Sequence, residues 1–128
     1  MTDEVTVLVA VCSPPVREAL VAMIGAQARF KIVAEACTHE EAVQLARQAR
    51  PLVALVDQDL PGYGGVWTVR SLLSDQLVES VVALGRRAED GRCAEAAGAQ
   101  AFVQIGVAPR EVLRALEQVS RQRPTVPS

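Results

Sequence analysis

The stretch Leu52-Val53-Ala54-Leu55-Val56-Asp57-Gln58-Asp59-Leu60-Pro61-Gly62 decides the fold: an unbroken apolar run ends on a carboxylate, and a polar turn with proline and glycine follows at once. Five apolar residues without polar alternation read as a strand buried on both faces, as in a parallel sheet covered by helices. Asp57 then stands at the carboxyl end of that strand, where open α/β sheets collect ligands and chemistry.

Outward from this run, strand-length apolar segments alternate with segments of helical period, five of each, which is the pattern of repeated βαβ units. Val5–Val11 is a valine-rich strand, and Pro14-Pro15 opens a helix with Val16, Ala19, Leu20, Met23 and Ile24 on one face. Lys31–Ala36 is a second strand. Thr38-His39-Glu40-Glu41 has the form of a capping box and starts a helix burying Ala42, Val43, Leu45 and Ala46. Strand three is Leu52–Val56, and a helix from about Gly65 to Ser74 turns Val66, Val69, Leu72 and Leu73 inward. Strand four is Glu79–Leu84, followed by a short helix over Asp90–Ala97 that Gly98 ends. Ala101–Ile105 is strand five, and Pro109 begins a last helix with Val112, Leu113, Leu116 and Val119 toward the sheet. The expected architecture is a (βα)5 doubly wound α/β fold with a five-stranded parallel sheet. Residues 1–121 make its one domain around one core, and 122–128 a tail or linker.

Composition narrows the function classes. The chain has 128 residues, 50% of them hydrophobic and 22% charged, which suits a single domain that buries about two-thirds of its unfolded surface. A formal charge of -2 gives no general attraction to nucleic acid or to an anionic membrane. Cys12, Cys37 and Cys93 are odd in number and scattered, so reduced thiols in a cytoplasmic setting are expected ahead of a disulfide framework, and no metal-ligand spacing is present. The apolar run Val5–Cys12 follows Asp3 and Glu4 instead of a basic segment and is too short to span a bilayer.

The segment Val53-Ala54-Leu55-Val56-Asp57-Gln58-Asp59-Leu60-Pro61-Gly62-Tyr63-Gly64-Gly65 resembles the phosphoacceptor loop of bacterial response-regulator receiver domains, in which the aspartate takes a phosphoryl group from a histidine kinase. Gly98-Ala99 with Phe102, the proline Pro109, and Val16-Arg17-Glu18-Ala19-Leu20 resemble further landmarks, the last as in the subfamily that carries helix-turn-helix output domains. The resemblance implies the flavodoxin-like receiver fold, with Asp57 as the phosphoacceptor equivalent and a place in two-component phosphorelay signalling.

Against that pattern the chain departs at every position of phosphoryl chemistry except the acceptor. The two acids that hold Mg²⁺ in the family correspond to Val11 and Cys12, neither an oxygen ligand for a hard cation. The hydroxyl residue ending strand four corresponds to Gly85, with no Ser or Thr from there to Ser120, and the lysine ending strand five corresponds to Ile105. The only lysine, Lys31, starts strand two, at the opposite end of the sheet. Phosphoryl transfer depends on cations that neutralise the transferring oxygens, so phosphorylation of Asp57 is disfavoured.

The remaining candidates each have two readings. Asp57 either caps its turn or keeps a signalling role, and Asp59 is a solvated loop acid or a helper in holding a cation. Cys12 is a small buried hydrophobe or an oxidisable thiol at the pocket mouth. His39 reads as a surface residue, and Arg86-Arg87 as a solvated basic corner or an anion contact. Trp67 lies off the apolar stripe of its helix, so its ring either covers neighbouring apolar surface or meets a partner. Together these point to a degenerate receiver: a non-enzymatic module without cofactor or catalytic residue, linked to transcription regulation through protein contacts. A protein partner or a second copy would meet Trp67, Phe102, Arg110 and Arg114. No direct contact with nucleic acid or membrane is expected. The alternatives are a small-ligand sensor using the emptied pocket of Val11, Cys12, Asp59, Gly85 and Ile105, and a true phosphoryl acceptor with unusual chemistry.

Overall fold

The computed structural model describes residues 4–62, 64–106 and 110–121. Tyr63 of the acceptor-like loop, Pro109 and the 122–128 tail lie outside the described residues. The elements run β1 (Val5–Ala10), α1 (Pro14–Gly25), β2 (Phe30–Ala36), α2 (His39–Ala49), β3 (Val53–Asp57), α3 (Gly64–Ser74), β4 (Ser80–Gly85), α4 (Ala88–Ala96), β5 (Ala101–Gln104) and α5 (Arg110–Arg121). All four strand pairings are parallel, in the order β2-β1-β3-β4-β5. This is the (βα)5 receiver-type fold that the alternation implies.

The single core expected from chain length is two cores, one on each face of the sheet. Val5, Val7, Val9, Val53, Leu55, Val82, Leu84 and Val103 pack with Leu20 and Ile24 of α1 and with Val112, Leu116 and Val119 of α5. Leu8, Ala10, Ala54, Val56, Val81 and Ala83 pack with α2, α3 and α4 through Ala42, Ala46, Val69, Leu72 and Ala94. Alternate side chains of a strand point to opposite faces, so each apolar run serves both layers at once.

Most boundaries fall within two residues of the sequence reading. β3 takes in Asp57, which pairs with Leu84, and β4 takes in Gly85, which pairs with Gln104. The acceptor-like residue is thus the last rung of its strand and belongs to the rigid sheet. α4 starts two residues early, at Ala88, because the Asp90 carboxylate accepts backbone N–H groups and gives the helix an N-terminal cap. The capping box of α2 is half as expected. Thr38 Oγ1 accepts the Glu41 N–H at 3.1 Å, but the Glu41 carboxylate accepts the N–H of Cys37, one residue before the expected partner.

Candidate functional site

Asp57 is buried at the carboxyl edge of β3. Its Oδ1 accepts the Asp59 N–H at 2.9 Å, and its backbone carbonyl accepts the Leu60 N–H at 3.2 Å. The turn-capping role expected of an aspartate there is therefore present. Beyond it, Asp59 is exposed and reaches Arg86 Nε through Oδ2 at 3.5 Å, so the basic corner folds back over the acceptor loop.

Burial pushes the Asp57 carboxyl above its ordinary value; the Asp59 N–H opposes this, the Asp59 carboxylate adds to it, Arg86 opposes it, and the Asp90 carboxylate adds to it. Two neighbouring anions and one exposed cation act on a desolvated carboxylate. Because the folded-state value is raised, the native chain binds a proton more readily than the unfolded chain, and ionised Asp57 costs stability at neutral pH. That cost disappears as pH falls through the folded value toward the unfolded one. Asp57→Asn should accordingly raise the melting temperature at pH 7, while Asn Oδ1 can still accept the Asp59 N–H, and the gain should shrink steadily toward pH 4. Melting curves of both chains over that range check it; an Asn variant that melts lower at pH 7 would contradict the sign.

Gly85 reveals an arrangement that the sequence did not announce. A Cβ built on it would lie 2.5 Å from Asp90 Cβ, 2.8 Å from Asp90 Oδ2 and 2.8 Å from Phe102 Cε1. Asp90 Oδ2 is fixed there by the N–H groups of Arg86 and Arg87, each at 3.1 Å. The first turn of α4 therefore sits directly on the end of β4. Where the receiver pattern has a hydroxyl, this chain has no side chain and a carboxylate close by. Asp90 is the site residue that residue-by-residue reading missed. Its only sequence signal is its place three residues after the N-cap Arg87, which marks a cap and says nothing about β4.

Of the residues proposed to line one emptied pocket, Gly85 and Ile105 stay adjacent, the Ile105 N–H reaching the Gly85 carbonyl at 2.7 Å, while Ile105 and Cys12 line separate clefts. Val11 is fully buried in the core on the α1 and α5 face. Ile105 lines a different, apolar cavity of about 290 Å³ with Pro15, Val16, Ala19, Leu20, Met23 and Val112, between α1 and α5. Cys12 lies on the far side, in a cleft of about 340 Å³ with Pro14, Arg17, Glu35, Cys37 and Glu41. There its sulfur is joined to that of Cys37, with the Cα atoms 4.1 Å apart. The expectation of three reduced thiols is thereby corrected. Residues 25 positions apart are brought together because β1 and β2 run side by side, Ala10 opposite Ala36.

The donor set at Asp57 does not suit the Mg²⁺ that the receiver pattern implies. Val11 is apolar and enclosed, Cys12 is committed to Cys37, and Asp90 is held by backbone N–H groups. Among the described residues no group of three or more His, Cys, Asp or Glu side chains could hold a metal ion.

The surface candidates also separate. Trp67 is 53% exposed, with the Arg70 guanidinium 5.2 Å from its ring centroid. Arg110 and Arg114 are exposed on α5, and Arg114 pairs with Glu111 at 3.4 Å. Phe102 is half-buried: its ring lies against Gly91 and Gly85 and packs on the α2–α4 core. His39, expected at the surface, is half-buried and ties α2 to α3 through Nδ1 and Thr68 Oγ1 at 2.9 Å. No described helix is long and apolar enough to cross a membrane.

No protein-family model matches the chain. The response regulator GacA of Pseudomonas aeruginosa is 32% identical over 107 residues, 81% of this chain and 50% of that protein. Two solved structures superpose with a TM-score of 0.85. One is a LuxR-family two-component response regulator from Aurantimonas, 26% identical and covering 94% of this chain and 87% of its own. The other is the signal receiver domain of a putative response regulator from Mycobacterium tuberculosis, 24% identical, covering 94% and 98%. The chain spans about half the length, or less, of the curated relatives it matches.

Proposed function

The chain belongs with the receiver domains of response regulators, and we propose that it is an atypical one: a signalling module that acts through protein contacts, without Mg²⁺-dependent phosphorylation of Asp57, in the control of transcription. The observation that carries this reading is the seat of Asp90 against Gly85. A phosphoryl group arriving at Asp57 would meet the carboxylates of Asp59 and Asp90, with Arg86 as the nearby cation and neither the hydroxyl nor the lysine of the family pattern. Like charge in a partly desolvated site raises the barrier by several kcal/mol at the least, since phosphoryl transfer draws its catalysis from charge neutralisation.

Incubation with small phosphodonors and Mg²⁺ should leave the intact mass unchanged. A stoichiometric phosphoryl adduct mapped to Asp57 would sink the reading. The contact surfaces are the Trp67–Arg70 patch and the exposed face of α5, so Trp67→Ala, or charge reversal at Arg110 or Arg114, should weaken self-association or partner capture. A strictly monomeric chain with no partner sensitive to any of these changes speaks against contacts as the output.

The small-ligand alternative has an observation of its own, at a place the sequence did not indicate. The apolar cavity between α1 and α5 has the size and lining of a site for a small hydrophobic molecule. Melting shifts with apolar compounds that Ala19→Trp abolishes would favour it.

A further inference from the structure

We propose that Cys12 and Cys37 are a reversible thiol–disulfide pair, a covalent site that ties the start of α1 to the start of α2 when oxidised and releases them when a dithiol reduces it. Cys12 follows the core residue Val11, whose N–H reaches the Ala36 carbonyl at 3.1 Å, so the chain leaves β1 and β2 at adjacent points on one edge of the sheet. The two Cα atoms are 4.1 Å apart there and the two sulfurs are joined.

Each cysteine stands one place before a helix cap, Ser13 for α1 and Thr38 for α2. The Arg17 guanidinium donates to the carbonyls of Val11 and Cys12 at 2.9 and 3.2 Å and pairs with Glu35 at 3.6 Å, while the Glu41 carboxylate accepts the Cys37 N–H at 2.6 Å, so both chain turns are held in place around the pair. Both cysteines are half-buried and line an open cleft, so a small reagent reaches them without unfolding. Cys93, exposed on α4, stands apart from the pair.

The exchange balances with a low-molecular-weight disulfide as oxidant. One thiolate attacks a sulfur of that disulfide and expels the first thiolate, leaving a mixed disulfide. The second cysteine then attacks its own partner's sulfur and expels the other. Two protons and two electrons leave the protein and finish on the two small thiols. A dithiol drives the reverse. α1 supplies one wall of the apolar cavity and lies beside α5, so closing the bridge fixes the helix that shapes that face. The pairing is independent of whether Asp57 takes a phosphoryl group, and the phosphodonor test leaves it untouched.

The test equilibrates the full chain in mixtures of reduced and oxidised glutathione, quenches with acid, alkylates with N-ethylmaleimide and reads intact mass. At the oxidising end neither Cys12 nor Cys37 should carry an alkyl group or glutathione, with Cys93 alone carrying one or the other; at the reducing end all three cysteines should be alkylated. A peptide linking Cys12 to Cys37 should appear only in the oxidised sample, whose melting temperature should lie roughly 10 °C above that of the reduced chain. Cys37→Ser should carry two alkyl groups at the reducing end and, with no second thiol to resolve the mixed disulfide, glutathione on Cys12 at the oxidising end, while keeping the native circular dichroism. Three alkyl groups throughout would overturn the proposal. So would one alkyl group that persists in excess dithiothreitol, or a bridge that includes Cys93.

Discussion

Gly85→Thr, the substitution that restores the receiver pattern's hydroxyl at the end of β4, should lower the melting temperature by roughly 10 °C instead of creating a phosphoryl switch. The new Cβ would overlap Asp90 and the Phe102 ring before the hydroxyl or methyl is placed. Overpacking of this kind costs typically about 1–3 kcal/mol. Moving Asp90 away adds the loss of a helix cap, about 1 kcal/mol, because its Oδ2 holds the N–H groups of Arg86 and Arg87. The two costs share one cause, so Asp90→Ala in the same chain should recover part of the loss, giving an effect well below the sum of the single changes. Thermal denaturation of the two single variants and the double variant measures that coupling. Additive effects would mean that Asp90 and residue 85 do not compete for one space.

This crowding separates the losses that a sequence reading detects from the one it does not. That Val11, Cys12, Gly85 and Ile105 depart from the receiver pattern is legible residue by residue, because each falls at the end of an apolar run whose position in the sheet is plain. The fold is legible for the same reason: runs such as Val53–Val56 and Val81–Leu84 are continuous, valine-rich and closed by turn residues, so strand count and parallel order follow. What now fills the site depends on side chains from another element, and no periodicity encodes it. Asp90 reaches Gly85 because α4 lies tight on β4, a closeness that the absent Cβ of Gly85 permits.

The Cys12–Cys37 pair was missed for a related reason. Cysteine spacing suggested unconnected thiols, whereas the connection is made by strand pairing, and the register of β1 against β2 itself shifts between Val7 and Leu8. The seat of Phe102 is equally non-local: two glycines, Gly85 and Gly91, make room for its ring against α4. In each case the deciding quantity is a distance between residues far apart in sequence.

Gly65→Ala should destabilise the chain by about 2–3 kcal/mol, against the usual sign for a glycine replaced inside a helix. Helix propensity alone favours alanine by about 1 kcal/mol. At Gly65, though, the added Cβ would overlap Gln58 Cα and lie 2.5 Å from the Asp57 carbonyl oxygen. Neither neighbour is a side chain that can swing aside. Gln58 N–H is bonded to the Leu84 carbonyl at 2.8 Å and Asp57 is paired with Leu84 in the sheet, so relief requires α3 to lift from the end of β3. That motion breaks the bond from Gly65 N–H to the Gln58 carbonyl at 3.2 Å, the tie between the helix start and the acceptor loop. The overlap therefore outweighs propensity. Gly25, the last residue of α1, makes the control, because a Cβ there meets nothing within 4 Å. Gly25→Ala should stabilise by roughly 0.5–1 kcal/mol. The same chemical change should thus move the urea midpoint in opposite directions at the two sites, and a rise at both would show that α3 does not sit against the Asp57 turn as closely as described.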